Sequence, residues 1–119
     1  MIIKRARNSF LGKDGVRYNC AQSIIKACSD LFEFSPDILK THAKFGAGKA
    51  PDGYCGALYA ALYVLYEKKR DKVQECKDFF LQHSGALTCR EIKAGKKVDC
   101  IVCVEKAAEF LNRELLRKE

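Results

Sequence analysis

The fold is decided by one apolar stretch near the middle of the chain, Tyr54-Cys55-Gly56-Ala57-Leu58-Tyr59-Ala60-Ala61-Leu62-Tyr63-Val64-Leu65-Tyr66. A helix formed by this stretch would carry apolar residues on almost every side, and such a helix is usually buried. We therefore predict a central helix over about residues 54–66, which the other elements of the chain must cover. The glycine-rich stretch over residues 45–53 predicts a loop in front of it.

The segments on both sides of this stretch also have apolar residues at helical spacing. They predict helices over residues 20–32, 36–45, 71–83 and 100–117, and a short helical piece over residues 89–92. No segment reads as a β-strand. The predicted fold class is therefore all-α. We expect a compact single-domain bundle, over residues 1–119, of about five helices with a glycine-rich loop before the central helix.

Length and charge limit the classes of function. A chain of 119 residues can bury the core of one domain. The 22 Lys and Arg residues exceed the 15 Asp and Glu residues, but they are scattered and no nucleic-acid motif accompanies them. We therefore expect no nucleic-acid partner. No apolar run approaches the roughly 20 residues that span a bilayer, and the first residues lack a signal peptide's apolar core, so we expect no membrane insertion and a cytoplasmic location.

The seven cysteines are many for such a chain, and their number is odd, whereas the disulfide framework of a secreted protein would favour an even number. In a reducing compartment, such cysteines are metal ligands, redox groups or small buried hydrophobes. Cys28 and Cys76 fall inside predicted helices where Leu or Ala would serve equally well, so we predict that both are buried hydrophobes. Cys103 is ambiguous, because Cys100-Ile101-Val102-Cys103 forms a CxxC in which either cysteine could be the working one.

The other four cysteines lie where predicted helices begin: Cys20, Cys55, Cys89 and Cys100. Asn19 with Gln22, and Thr88 with Glu91, have the spacing of capping boxes, and Asp99 can cap the last helix. Unpaired backbone N–H groups and the helix dipole favour negative charge at a helix start. A thiol in that place is expected to have a lowered pKa, which makes it a better nucleophile and a better metal ligand.

No two of these four cysteines form a local CxxC, so only the fold can bring them together. Four thiolates would suit an iron–sulfur cluster or zinc, and a pair could instead cycle between dithiol and disulfide. The glycines of the loop and of the following helix start let backbone N–H groups approach a sulfur or a cofactor, so we predict these as cofactor-binding positions: Gly46, Gly48, Gly53 and Gly56.

Three hypotheses on function stay open from the residues alone. The leading one is a small redox-active protein, an oxidoreductase or an electron carrier. It would bind an iron–sulfur cluster or related metal centre for electron transfer to an unidentified redox partner protein. Its predicted ligands are Cys20, Cys55, Cys89 and Cys100, with Cys103 as substitute for Cys100. The second hypothesis is a thiol–disulfide redox protein that uses the same four cysteines. The third is an interaction module held together by structural zinc.

These segments resemble a family of redox-active proteins defined by four signature cysteines and a Cys-Gly-Ala-x-x-Gly motif. The matching segments are Asn19-Cys20-Ala21-Gln22, Phe45-Gly46-Ala47-Gly48, Gly53-Tyr54-Cys55-Gly56-Ala57-Leu58-Tyr59-Ala60, Thr88-Cys89-Arg90-Glu91 and Cys100-Ile101-Val102. The resemblance covers about residues 6–116 and implies redox activity at the same four cysteines. A similar domain is associated with iron–sulfur binding in split-Soret cytochromes. The motif's final glycine is Ala60 in this chain, and without a Cys-x-x-Cys-His no c-type haem is expected.

Overall fold

A computed structural model describes residues 2–13, 15–29, 36–45, 49–95 and 99–115 of the chain. Within these ranges the protein forms seven α-helices and no β-strand. The helices are α1 (Ile2–Leu11), α2 (Cys20–Cys28), α3 (Pro36–His42), α4 (Gly56–Lys68), α5 (Val73–Ser84), α6 (Cys89–Gly95) and α7 (Cys100–Leu115). The predicted all-α class is confirmed, whereas the predicted number of about five helices is too low.

The additional helix at the beginning of the chain is α1, for which the sequence pattern gives only a weak signal. Its buried residues are Ile2, Ala6 and Ser9, and one of these three is polar. The helix packs against α2 and α7. The backbone N–H of Ile2 donates to the Asn112 Oδ1 of α7 at 3.2 Å. Packing against the rest of the protein therefore supports a helix whose own apolar stripe is short.

The central helix of the bundle is α4, as the apolar stretch predicts. It starts at Gly56 and packs against α2, α5 and α7. Small buried residues let these neighbours approach closely, and larger ones fill the remaining space: Gly56, Ala57, Ala60 and Ala61, then Leu58, Leu62, Val64 and Leu65. The buried apolar side chains of the described residues form a cluster around this helix. No helix in the described ranges is long and apolar enough to cross a membrane.

Four helices begin at a cysteine or directly after one, as predicted. Cys20, Cys89 and Cys100 are the first residues of α2, α6 and α7, and Cys55 is the N-cap residue of α4. The capping box between Asn19 and Gln22 is complete. The Thr88 hydroxyl accepts from the Glu91 N–H at 3.2 Å and donates to the Glu91 carboxylate at 2.7 Å. Local capping residues thus fix where two of the predicted helices, α2 and α6, start.

Candidate thiol site

The start of α4 is held against the segment that leads into α6. The backbone N–H of Cys55 donates to the Leu87 carbonyl at 2.9 Å, and Tyr54 forms an isolated antiparallel bridge with Thr88. Cys89 follows Thr88 directly. Two segments that lie more than thirty residues apart along the chain therefore bring their cysteines to the same end of the bundle.

Three sulfurs at this end interact in series, and we call them the thiol chain: Cys20, Cys55 and Cys103. Thiol–thiol hydrogen bonding shifts the pKa of Cys20 through Cys55, and the pKa values of Cys55 and Cys103 through each other. Each sulfur comes from a different helix start or helix, namely α2, α4 and α7. Cys55 is the common member, with one neighbouring sulfur on each side.

The hydrogen bonds determine which member of the thiol chain ionises most easily. The bond from Cys20 to Cys55 and the burial of the sulfur raise the pKa of Cys20 far above its usual range. The bond from Cys55 to Cys103 raises the pKa of Cys55 to about 12, although the bond from Cys20 opposes this shift. Cys103 accepts the bond from Cys55, and its pKa is lowered. A hydrogen bond favours the charged form of the group that accepts it.

A serine from a neighbouring helix adds to the effect on Cys103. Ser84, the last residue of α5, is 1% exposed, and its hydroxyl lowers the pKa of the Cys103 thiol. The hydroxyl lies beside the sulfur without reaching the geometry of a formed hydrogen bond. Cys103 itself is 3% exposed. The thiol whose pKa is lowered therefore lies in the interior, inside α7.

These pKa shifts contradict the expectation that thiols at helix starts are the acidic ones. The pKa of Cys20 and of Cys55 is raised, and burial also raises the pKa of Cys100, against the opposing charge of Lys93. The backbone N–H groups of Ala21 and Ala57 do lower the pKa of Cys20, as the helix-start argument requires. The neighbouring thiol and the loss of hydration raise the pKa of Cys20 by more than these N–H groups lower it.

Gly56 is the residue that lets Cys20 reach the start of α4. A Cβ atom placed on Gly56 would lie 2.6 Å from the Cys20 Sγ and 2.7 Å from the Phe45 carbonyl oxygen. Both separations are far inside van der Waals contact. Glycine at this position therefore makes room for the sulfur of another helix.

The remaining predicted glycines have different outcomes. Gly53 has a φ of 72°, and a Cβ there would meet only the Thr88 methyl at 3.9 Å, so its backbone conformation explains the glycine. Gly46 and Gly48 lie outside the described residues. The predicted role of these glycines and of Gly56 in binding a cofactor stays a prediction.

The two further predicted cysteines, Cys100 and Cys89, lie near the thiol chain but nearer to solvent. Cys100 is exposed, and its sulfur interacts electrostatically with Cys20, Cys89 and Lys93. Cys89 is half-buried and opens onto a cleft of about 540 Å³ between the 3₁₀ turn Pro51–Gly53 and α6. The bundle thus gathers five sulfurs at one end, and Cys103 contributes to the thiol chain where the sequence allowed either Cys100 or Cys103.

The other two cysteines are isolated in the apolar core, as predicted. Cys28 and Cys76 are fully buried members of the core cluster. Loss of hydration raises the pKa of each thiol to about 12. We call these two residues the solitary thiols.

The donor set and its arrangement lead to different conclusions about a metal. Thiolates are suitable ligands for zinc and for iron–sulfur clusters, and they surround the ion at about 2.3 Å in zinc sites. In the part of the chain that the structure describes, no group of three or more His, Cys, Asp or Glu side chains is placed to hold a metal ion. The thiol chain instead consists of pairwise contacts. The residue types fit such a centre, but their arrangement does not fit a single ion.

A family model with the description "Putative redox-active protein (C_GCAxxG_C_C)" matches residues 18–114 of the chain. The chain belongs to this family. The match includes all seven cysteines and every helix except α1. No curated protein and no solved structure matches the chain.

The C_GCAxxG_C_C family motif differs in detail from this chain. The family name spells the central motif Gly-Cys-Ala-x-x-Gly, whereas the chain has Cys55-Gly56-Ala57, so the order of cysteine and glycine is reversed relative to that spelling. Ala60 stands where the resemblance leads one to expect the last glycine. Ala60 is fully buried between helices, and its methyl group is accommodated there.

Two residues of the site carry little signal in the sequence. Cys103 lies four residues before Ala107 and eight before Leu111, which is core spacing, but Cys100 has equally suitable spacing to Val104. Ser84 resembles any serine at the end of a helix. Neither the contact of Cys103 with Cys55 nor that with Ser84 could be inferred from the residues alone, because each joins separate helices.

Proposed function

We propose that this protein is a thiol redox protein in which Cys20 and Cys55 cycle between a dithiol and a disulfide. The observations that support this proposal are the position of the Cys20 sulfur against Gly56, the residue next to Cys55, and the mutual effect of the two thiols on their pKa values. Membership of a redox-active family agrees with it. A disulfide requires an S–S separation of about 2.05 Å, so the two sulfurs must move closer together before the bond forms.

The oxidant in this proposal is a disulfide, RSSR, of a small molecule or a protein. The Cys20 thiolate attacks one sulfur of RSSR, a mixed disulfide forms and one RS⁻ leaves. The Cys55 thiolate then attacks the Cys20 sulfur, the intramolecular disulfide forms and the second RS⁻ leaves. Two electrons pass to the substrate, and the two thiol protons end on two RSH molecules.

The residues around Cys20 have definite roles in this reaction. Cys20 is the more exposed of the pair, so it is the sulfur that an external disulfide can reach. The backbone N–H groups of Ala21 and Ala57 stabilise its thiolate. Gly56 leaves the space in which the Cys20 sulfur lies beside α4. The raised pKa values of Cys20 and Cys55 predict a slow first step that accelerates as pH rises.

The experiment is a redox titration of the reduced protein with oxidised glutathione, followed by acid quenching, alkylation and peptide mapping. The expected result is an intramolecular disulfide that includes Cys55, with the loss of two alkylatable thiols. The alkylation of all seven cysteines at every potential tested would reject the proposal. Variants Cys20→Ala and Cys28→Ala provide the comparison, since only the first removes a member of the pair.

A second candidate is electron transfer through an iron–sulfur cluster or related metal centre, with zinc as the structural alternative. The observation that favours it is the gathering of five sulfurs at one end of the bundle, from Cys20, Cys55, Cys89, Cys100 and Cys103. The pairwise contacts would have to separate before four of these sulfurs could surround a common centre. Protein purified without oxygen would then contain iron and acid-labile sulfide, or stoichiometric zinc. Protein free of both metals that also resists reconstitution would reject this candidate.

A further inference from the structure

The last residue of α3, His42, is a buried titratable side chain that the proposed function does not use. It is 2% exposed. Its Nδ1 lies 2.8 Å from the Ile38 carbonyl oxygen, which can only accept, so the neutral ring carries its proton on Nδ1 and a lone pair on Nε2. Among the described residues, no hydrogen-bond partner reaches Nε2. The surroundings of His42 therefore suit the neutral ring.

Three aromatic rings surround the imidazole of His42. The centroids of Phe45, Tyr59 and Tyr63 lie 5.2, 5.9 and 5.4 Å from that of the imidazole. The two phenols, both from α4, are the titratable groups that face the ring. The charged residues of α2, α3, α4 and the 3₁₀ turn Ala43–Phe45 are exposed: Lys26, Asp37, Lys40, Lys44, Glu67 and Lys68. A proton added to Nε2 would thus meet no buried charge of these elements, and burial lowers the pKa of His42.

The backbone around His42 is bonded to the start of α2. The Asn19 side-chain Nδ2 donates to the carbonyls of His42 and Ala43, each at 3.1 Å. The Oδ1 of the same side chain accepts from the Gln22 N–H at 2.7 Å. The Gln22 side chain in turn donates to the Leu39 carbonyl at 3.2 Å. The capping box of α2 is therefore attached to residues 39–43 by three hydrogen bonds.

The same segment also borders the sulfur of Cys20. A Cβ atom on Gly56 would lie 2.7 Å from the Phe45 carbonyl oxygen and 2.6 Å from the Cys20 Sγ, so both atoms lie beside one point at the start of α4. Phe45 packs edge-on against the His42 ring, and Asn19 directly precedes Cys20. Movement of residues 38–45 would therefore loosen the position of Cys20 from two sides.

We propose that His42 is a pH switch: the neutral ring keeps residues 38–45 packed against the start of α2, and protonation of the ring releases them and loosens Cys20. The switch itself does not depend on redox chemistry. Its effect on thiol oxidation rests on the proposed function, because that function requires Cys20 beside α4.

The direction of the switch follows from proton binding. In the released segment His42 is hydrated and takes up a proton near its ordinary pKa of 6.5, whereas in the packed segment its pKa is lower. The released state therefore binds more protons. Its population rises as pH falls below 6.5 and stops rising once the packed state is protonated as well.

The test is hydrogen–deuterium exchange of the reduced wild-type protein at pH 7.5 and pH 5.5, with rates corrected for the intrinsic pH dependence of exchange. Protection of the amides in residues 36–45 and 19–23 should be about three- to tenfold lower at pH 5.5. Protection of α7, which contains no histidine, should stay constant. Equal protection of residues 36–45 at both pH values would overturn the inference. The glutathione titration at pH 7.5 judges the proposed function separately.

Two variants assign the effect to His42. His42→Phe removes the titratable group but keeps a ring among the other three, so its protection should not change between the two pH values. The matched control is His83→Gln, which removes the other, exposed histidine and should keep the wild-type pH dependence. The wild-type pH dependence in His42→Phe would contradict the switch. If His42→Phe does not fold, nuclear magnetic resonance of wild type and His83→Gln gives the pKa of His42, and a value of 6.5 or above would overturn the inference.

Discussion

Cysteines are buried in two regions of this molecule, and the pKa of Cys103 in one region is shifted in the direction opposite to that of the two thiols in the other. The solitary thiols, Cys28 and Cys76, lie among apolar side chains, where loss of hydration raises the pKa of each to about 12. In the thiol chain, Cys103 is nearly as deeply buried, yet its pKa is lowered by the hydrogen bond from Cys55 and by the Ser84 hydroxyl. Burial is common to both regions, so the neighbouring groups cause the difference.

The solitary thiols have the surroundings of small hydrophobic residues, whereas the surroundings of Cys103 favour the thiolate. Burial disfavours the thiolate in each region. Only the thiol chain provides donors that stabilise it, and only there is a second sulfur in contact for bond formation. Interaction between sulfurs, and not exposure or position at a helix start, thus distinguishes the thiol chain from the solitary thiols.

The change with the largest expected effect is Cys55→Ala, which removes the central sulfur of the thiol chain. We expect it to abolish formation of an intramolecular disulfide by oxidised glutathione, because the Cys20 and Cys103 sulfurs each have their thiol contact with Cys55. The readout is the intact mass after oxidation, compared with Cys28→Ala, which removes a solitary thiol and should oxidise as the wild type does. Unchanged disulfide formation in Cys55→Ala would show that the thiol chain does not oxidise through its central sulfur.

Alkylation of the native, reduced protein should separate accessible from solitary thiols. A pKa of about 12, against the ordinary value of 9.0, lowers the thiolate fraction about a thousandfold at any pH below 9. Cys28 and Cys76 should therefore react at least that much more slowly than a free thiol, while exposed Cys100 reacts first. The rates are measured by peptide mapping of timed samples. Labelling of Cys28 together with Cys100 would show that the core does not protect it.

Gly56→Ala tests whether the thiol chain depends on close packing at the start of α4. The added Cβ would collide with the Cys20 sulfur and the Phe45 carbonyl, and such overpacking costs about 1–3 kcal/mol of unfolding free energy. We also expect slower disulfide formation, because Cys20 must move away. Chemical denaturation and the oxidation rate measure the two effects.

The control for that variant is Ala60→Gly, one turn further along α4. It removes helix propensity worth about 1 kcal/mol but adds no atom near Cys20. Stability should fall while the oxidation rate stays at the wild-type value. A wild-type oxidation rate in Gly56→Ala would show that the close approach of Cys20 is not required for the reaction.

The smallest expected effect belongs to Ser84→Ala, which should make the surroundings of Cys103 more like those of the solitary thiols. The Ser84 hydroxyl stabilises the thiolate, so its removal raises the pKa of Cys103, and the thiolate appears at higher pH. Because the hydroxyl has no hydrogen-bond partner of good geometry, we expect the pKa of Cys103 to rise only slightly.

This shift is measured by the ultraviolet absorbance of the thiolate as a function of pH. Ser9→Ala, which removes another buried serine from a helix without cysteines, should leave the titration unchanged. A downward shift in Ser84→Ala would mean that the hydroxyl opposes ionisation of Cys103.

Local signals in the chain were sufficient for much of the fold. The Asn19–Gln22 and Thr88–Glu91 pairs join residues three apart, so they can be read directly from the sequence. The first forms a complete capping box, and in the second the Thr88 hydroxyl accepts from the Glu91 N–H and donates to the Glu91 carboxylate. The apolar periodicity of α4 similarly predicts a buried helix. By contrast, α1 is stabilised by packing against α2 and α7, which no local pattern reveals.

The sequence by itself determined the all-α class, the central helix, the helix starts at Cys20, Cys55, Cys89 and Cys100, and the burial of Cys28 and Cys76. These features follow from periodicity and capping, which act within one or two turns of a helix. Only the tertiary structure decided that Cys103 joins Cys20 and Cys55, and that the thiol whose pKa is lowered is the one inside α7. The rotation of α7 about its axis and the approach of α2 to Gly56 are fixed by the packing of the whole core, and a sulfur's pKa depends on the neighbours that this packing supplies.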